Sequence, residues 1–172
     1  ILNDRLLDQV KKKDKKIMLA EQIDDFYATI MRQAYFTIFE ISAHEMIGKN
    51  SATNIDELSD IYMDNLKEQF GNSLRLSDDF KYEWLYIPHF YHSPFYCYAY
   101  SFGNLLVMSL YQQFKNEGRG FIPKYIRILS SGGSKKPEDL LLNEGIDISK
   151  EEFWQKGFDL VNDKISELNK IK

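Results

Sequence analysis

Residues 17–47 read IMLAEQIDDFYATIMRQAYFTIFEISAHEMI, with neither glycine nor proline before Gly48. Ile23, Phe26, Ile30, Ala34, Ile38 and Ile41 recur at three- and four-residue spacings, which lines them along one face of a helix. This predicts one long helix over 17–47. Before it, Leu2 to Leu7 reads as the tail of another helix, and Lys11-Lys12-Lys13-Asp14-Lys15-Lys16 as a solvated connector. After it, Thr53 stands three residues before Asp56, a helix-start pattern. That helix is expected to run to about Phe70 and stop at Gly71-Asn72.

Further out, Leu74 to His92 holds Asp78-Asp79, Trp84 and Pro88 without a sustained helical period, and is expected to be a loop with a short helix. From Pro94 the pattern is helical again, with Phe95, Phe102, Leu105, Leu106 and Leu110 on one broad face up to Asn116-Glu117-Gly118. A further helix is predicted over Phe121 to Leu129, then a turn at Ser130-Ser131-Gly132-Gly133-Ser134. Pro137 suits a first helical turn and Gly145 a stop, while Ser149 and Glu152 predict a capping box for a terminal helix carrying Phe153, Phe158, Val161, Ile165 and Leu168. With no repeat, low-complexity tract or linker, the expectation is an all-α fold and a single helical domain over 1–172.

Composition narrows the function. The 172 residues are 44% hydrophobic and 28% charged, as in a chain that buries one core. Lys plus Arg number 22 against 26 Asp plus Glu, a net charge of −4 that argues against a nucleic-acid partner. Cys97 is the lone cysteine, so neither an internal disulfide nor a thiolate zinc cage is available, and a reducing, cytoplasmic setting is expected. Apolar runs fall short of the roughly 18 residues that span a bilayer, so no membrane association is expected. The start Ile1-Leu2-Asn3-Asp4-Arg5, without methionine, reads as the middle of a helix and predicts a fragment of a longer protein.

The least random stretch is residues 87–103, IPHFYHSPFYCYAYSFG. Of the 11 tyrosines, Tyr86, Tyr91, Tyr96, Tyr98 and Tyr100 fall within it or at its edge, beside His89 and His92. Phenol and imidazole protons fixed by ring packing are suited to hold a carbonyl whose oxygen gains negative charge in acyl transfer, and Pro88 and Pro94 stiffen the segment. The alternative is simple aromatic packing. On a helix Tyr96 and Tyr100 share a face and Tyr98 lies nearly opposite, so at most two or three hydroxyls converge. Elsewhere, His44-Glu45 is half of a zinc-binding H-E-x-x-H, with Gly48 in the second imidazole's place, so no metal site is expected there. Glu40 and His44, four apart, suit a structural ion pair. Gly132-Gly133 lacks the rest of a phosphate loop, and Cys97 reads as a small buried thiol more readily than as a nucleophile.

Four blocks, in order, resemble the carboxy-terminal part of oligoendopeptidase F, within the thimet-oligopeptidase-like zinc metallopeptidases. They are Asp25 to Phe36 running on to Phe39-Glu40, Trp84 to Tyr91, Pro94 to Tyr100, and Leu129 to Ser134 with Gly145-Ile146-Asp147. The resemblance implies an all-helical portion of an oligopeptidase catalytic domain, whose parent cleaves short peptides in a deep cleft with zinc activating water. The zinc ligands would lie earlier in the parent, outside this chain. By the same resemblance His89 and Tyr96 would bind substrate, and Tyr98 and Tyr91, with His89, would serve catalysis by stabilising the tetrahedral intermediate. The partners implied are short peptides and the missing amino-terminal portion; the isolated chain is expected to be inactive and, with its cut surface exposed, to self-associate. The competing class is a non-catalytic helical peptide-binding or scaffold module; a metal carrier built on Glu40 and His44 is a weaker third.

Overall fold

The structure is a computed structural model describing residues 2–49 and 52–171. It is all-α, with no strand among the described residues. The helices are α1 (Leu2–Leu7), α2 (Lys12–Phe26), α3 (Arg32–Lys49), α4 (Ile55–Phe70), α5 (His89–His92), α6 (Tyr98–Glu117), α7 (Ile122–Ser131), α8 (Pro137–Asn143) and α9 (Glu151–Lys170). No helix among the described residues is long and apolar enough to cross a membrane. The chain divides into two compact units, Phe26–Phe102 and Ile1–Asp25 with Gly103–Lys172.

In the Phe26–Phe102 unit the predicted long helix is present but not uniform. A five-residue π turn, Tyr27–Met31, joins α2 to α3, and the Arg32 N–H donates to Tyr27 O, five residues back. The wider turn shifts the register of everything after it. Ile30 is buried, but Ile38 and Ile41, expected on the same stripe, are 48% and 46% exposed. Phe36, Phe39 and Glu40 face inward instead. Phe36 and Phe39 meet Tyr62 and Leu66 of α4, with Ile87 and Cys97, in one core. Burying aliphatic and aromatic side chains of this kind contributes about 1.5–3 kcal/mol each.

Helix α4 starts one residue later than Thr53 suggests: Asn54 caps it, accepting from Glu57 N–H while the Glu57 carboxylate accepts from Asn54 N–H. Gly71, at φ 51°, ends it as expected. The segment read as a loop is a 3-10 helix over Asp78–Tyr86. Trp84 and, three residues on, Ile87 pack into the core, and the three-residue repeat of such a helix is one that a search for 3.6 misses. Glu83 fastens this helix down, accepting from Arg32 Nη2 at 2.6 Å and from the Tyr62 hydroxyl at 2.7 Å. Trp84 Nε1 adds a bond to Ser59 Oγ at 3.1 Å.

The other unit packs Leu110 of α6, Leu141 of α8 and Phe153 of α9 around Phe121 and Ile146. Helix α2 begins at Lys12, so the basic run is a helical turn and not a connector. Lysine is a good helix former, and a charged face is as well solvated on a helix as in a loop. Lys15 also pairs with Glu167 of α9 at 2.7 Å. The capping box at Ser149 and Glu152 does not form: Lys150 occupies the cap position without a side-chain bond. Ser149 donates its N–H and hydroxyl to Asp147 Oδ1 instead, so a turn two residues upstream claims it first.

Candidate functional site

Site geometry in the Phe26–Phe102 unit begins with Phe90, whose ring packs on Phe36 and Phe39 at centroid distances of 5.6 and 5.3 Å. With Ile87 buried beside it, the short helix α5 is pinned, and the half-buried His89 meets Tyr100: Nε2 and the hydroxyl are 3.2 Å apart, with the rings perpendicular at 5.6 Å. Tyr96 packs on Tyr100 in turn, its ring 5.4 Å from that of Tyr100 at 87°. Phe95 is left-handed at φ 58°, and its N–H donates to Glu40 Oε1 at 2.8 Å. Its ring rests on His44 at 4.7 Å. Just beyond, Ser101 donates to the carbonyl of Ile30 at 2.7 Å, inside the π turn.

Of the sequence-predicted residues, His89 and Tyr96 are thus drawn into one cluster, with Tyr100 between them. Tyr91 and Tyr98 are outside the cluster's ring contacts; they are 50% and 58% exposed, with no hydrogen-bond partner for either hydroxyl among the described residues. Partial burial pushes the Tyr91 hydroxyl up, keeping it a neutral donor. Tyr100, the histidine's partner, is not among the sequence-predicted site residues, although its four-residue spacing from Tyr96 signals a shared face. The predicted pairing of Glu40 with His44 is not found among the described residues, because the carboxylate turns to the Phe95 amide. Cys97 is fully buried, and burial followed by the Glu40 charge pushes its thiol up to about 11, as suits a packed thiol and not a nucleophile.

Chemically, this is a set of phenol and imidazole hydrogen-bond donors with stiff aromatic supports, able to hold an amide carbonyl. Among the described residues, no group of three His, Cys, Asp or Glu is arranged to hold a metal ion.

A family profile described as Peptidase family M3 matches residues 1–160. An oligoendopeptidase F homolog of Borreliella burgdorferi is 35% identical over 99% of this chain and 30% of its own length. The oligopeptidase PepF of Bacillus subtilis is 27% identical over 99% of this chain and 26% of its own. The crystal structure of oligoendopeptidase-F from Enterococcus faecium superposes with a TM-score of 0.87 at 25% identity, over 99% of this chain and 33% of that one. The chain therefore spans about a third or less of these relatives.

Proposed function

Because this chain belongs to peptidase family M3, we propose that it is the carboxy-terminal portion of a cytoplasmic oligoendopeptidase that hydrolyses short peptides. In this reading His89 and Tyr96 bind the peptide, and the hydroxyls of Tyr98 and Tyr91 donate to the carbonyl oxygen as it becomes tetrahedral. The observation that carries it is the pairing of His89 with Tyr100, on which Tyr96 packs, in the same short segment as two exposed phenols that no group among the described residues claims. Donors already oriented need no rearrangement when charge develops, which is the source of their catalytic effect.

The zinc of such a peptidase does not fit this chain's residues. His44-Glu45 lacks its second imidazole, since Gly48 stands there, and Glu40 is bonded to the Phe95 amide. The ligands would belong to the rest of the parent, which leaves His89 and the tyrosines with roles in binding and donation alone. The isolated 172-residue chain is accordingly expected to hydrolyse nothing, and the exposed apolar stripe of α7 supports its self-association.

The test uses the full-length enzyme carrying this chain and a quenched peptide substrate. Y98F should lower kcat by roughly 10²-fold, the loss typical of one oxyanion donor, with KM little changed. H89A should raise KM. If both variants turn over like the parent while peptide binding weakens, the segment is a docking groove and the catalytic reading falls.

A further inference from the structure

Glu40 is the only buried carboxylate among the described residues, 2% exposed on the inward face of α3 beside Phe36 and Phe39. A packing role needs no charge at such a position, and burying one is unfavourable unless it is bonded. One oxygen, Oε1, accepts from Phe95 N–H at 2.8 Å; the other meets no partner among the described residues. Phe95 in turn is the only non-glycine residue at positive φ among the described residues. A charge-assisted bond to the amide of a residue in an unfavourable conformation offsets that strain and fixes the turn. The same turn carries the exposed Tyr96, next after Phe95, and leads into Tyr98 and Tyr100 at the start of α6. Helix α3 grips it a second time through the His44 ring, and the Ser101 bond to Ile30 secures the segment just beyond it.

We propose that Glu40 is a positioning residue: from behind the site, its carboxylate holds the 93–97 turn so that Tyr96 and Tyr100 line up with His89. This rests on reading the His89–Tyr cluster as the substrate-holding surface. Glu40 touches no substrate; it acts through Phe95.

The experiment compares E40A, E40Q and Y100F in the full-length enzyme, with melting curves to confirm folding. E40A should lower kcat/KM by about tenfold or more, and the NMR ring-proton shifts of His89, set by the perpendicular Tyr100 ring 5.6 Å away, should move as the contact between the two rings is lost, with Y100F marking the loss of the hydroxyl alone. E40Q keeps an acceptor oxygen without the charge, so it should fall between parent and E40A in both readouts. A folded E40A whose His89 signals stay where the parent's are overturns the proposal. Where E40A fails to fold, E40Q decides: faster exchange of the Phe95 amide with a partial movement of the His89 signals supports it, and no change in either rejects it. The ring shifts report on Glu40 even if H89A and Y98F leave turnover intact, so failure of the catalytic reading remains distinguishable from failure of this one.

Discussion

At Cys97 the thiol is buried completely, and with its pKa pushed to about 11 only about one molecule in a thousand carries the thiolate at pH 8. Iodoacetamide at pH 8 should therefore leave the folded chain unlabelled and label it readily in denaturant; equal rates in the two states would contradict the burial. Glu83 is the second residue whose removal has a definite consequence. It takes one bond from Arg32 and one from Tyr62, and Arg32 also lies over the Phe36 ring at 4.9 Å. E83A leaves the half-buried Arg32 guanidinium and the fully buried Tyr62 phenol without their acceptor, so stability should fall by about 1–3 kcal/mol in urea titrations, with E83Q losing less. At this scale the sequence is most informative about residue type and least about partnership. The crowding of tyrosines and histidines at 86–100 marks the surface, but that Tyr100 meets His89 depends on how α5 and α6 are pinned by Phe90 and Glu40. Those contacts join residues 36–40 to residues 90–95, and no local pattern reports them.

The packing of α9 against α6 turns on a missing side chain. A Cβ added at Gly157 would stand 3.0 Å from Ser109 Oγ and 3.2 Å from the Leu105 carbonyl oxygen. A backbone oxygen cannot rotate away as a side chain does, so the two helices would have to separate. G157A should thus destabilise by about 1–3 kcal/mol, although alanine favours an isolated helix by about 1 kcal/mol; a raised melting temperature would show that the helices yield freely. Elements with strong 3.6-residue patterns and glycine stops, such as α4 with Gly71 and α8 with Gly145, are legible in the sequence. Those that escape it have a reason. The 3-10 helix repeats every three residues, and the expected cap at Ser149 loses its hydroxyl to Asp147, a competition between two local bonds that the residues alone do not rank.

Across the unit that contains both ends of the chain, one carboxylate ties three helices. Asp4 of α1 accepts from Lys164 of α9 at 2.5 Å and from Tyr111 of α6 at 2.7 Å. Burial alone would raise its pKa, but the hydrogen bonds from Lys164 and Tyr111 and the lysine's charge outweigh it and hold the carboxyl below 3.8. A depressed folded pKa means that the folded state releases this proton more easily than the unfolded one. The resulting stability is present above about pH 4 and disappears as pH falls through the folded value. Melting curves between pH 5 and 2.5 should therefore be less steep in pH for D4N than for the parent; identical slopes would remove Asp4 as a contributor. On the same unit Ile122, Tyr125, Ile126 and Leu129 of α7 are 41%, 43%, 54% and 62% exposed at helical spacing. Sedimentation of the isolated chain should show concentration-dependent association that I126K with L129K abolishes, and a monomer at every concentration would disprove it. The π turn has a consequence of its own. Each residue of an α-helix advances its azimuth by about 100°, and a short π turn closes over one residue more than an α turn does, so trimming a single amino acid from Tyr27–Met31 and closing the gap as regular helix should leave Phe36, Phe39 and Glu40 on their seats. The same deletion made between Arg32 and Phe36 has no such slack and would swing all three off the core together.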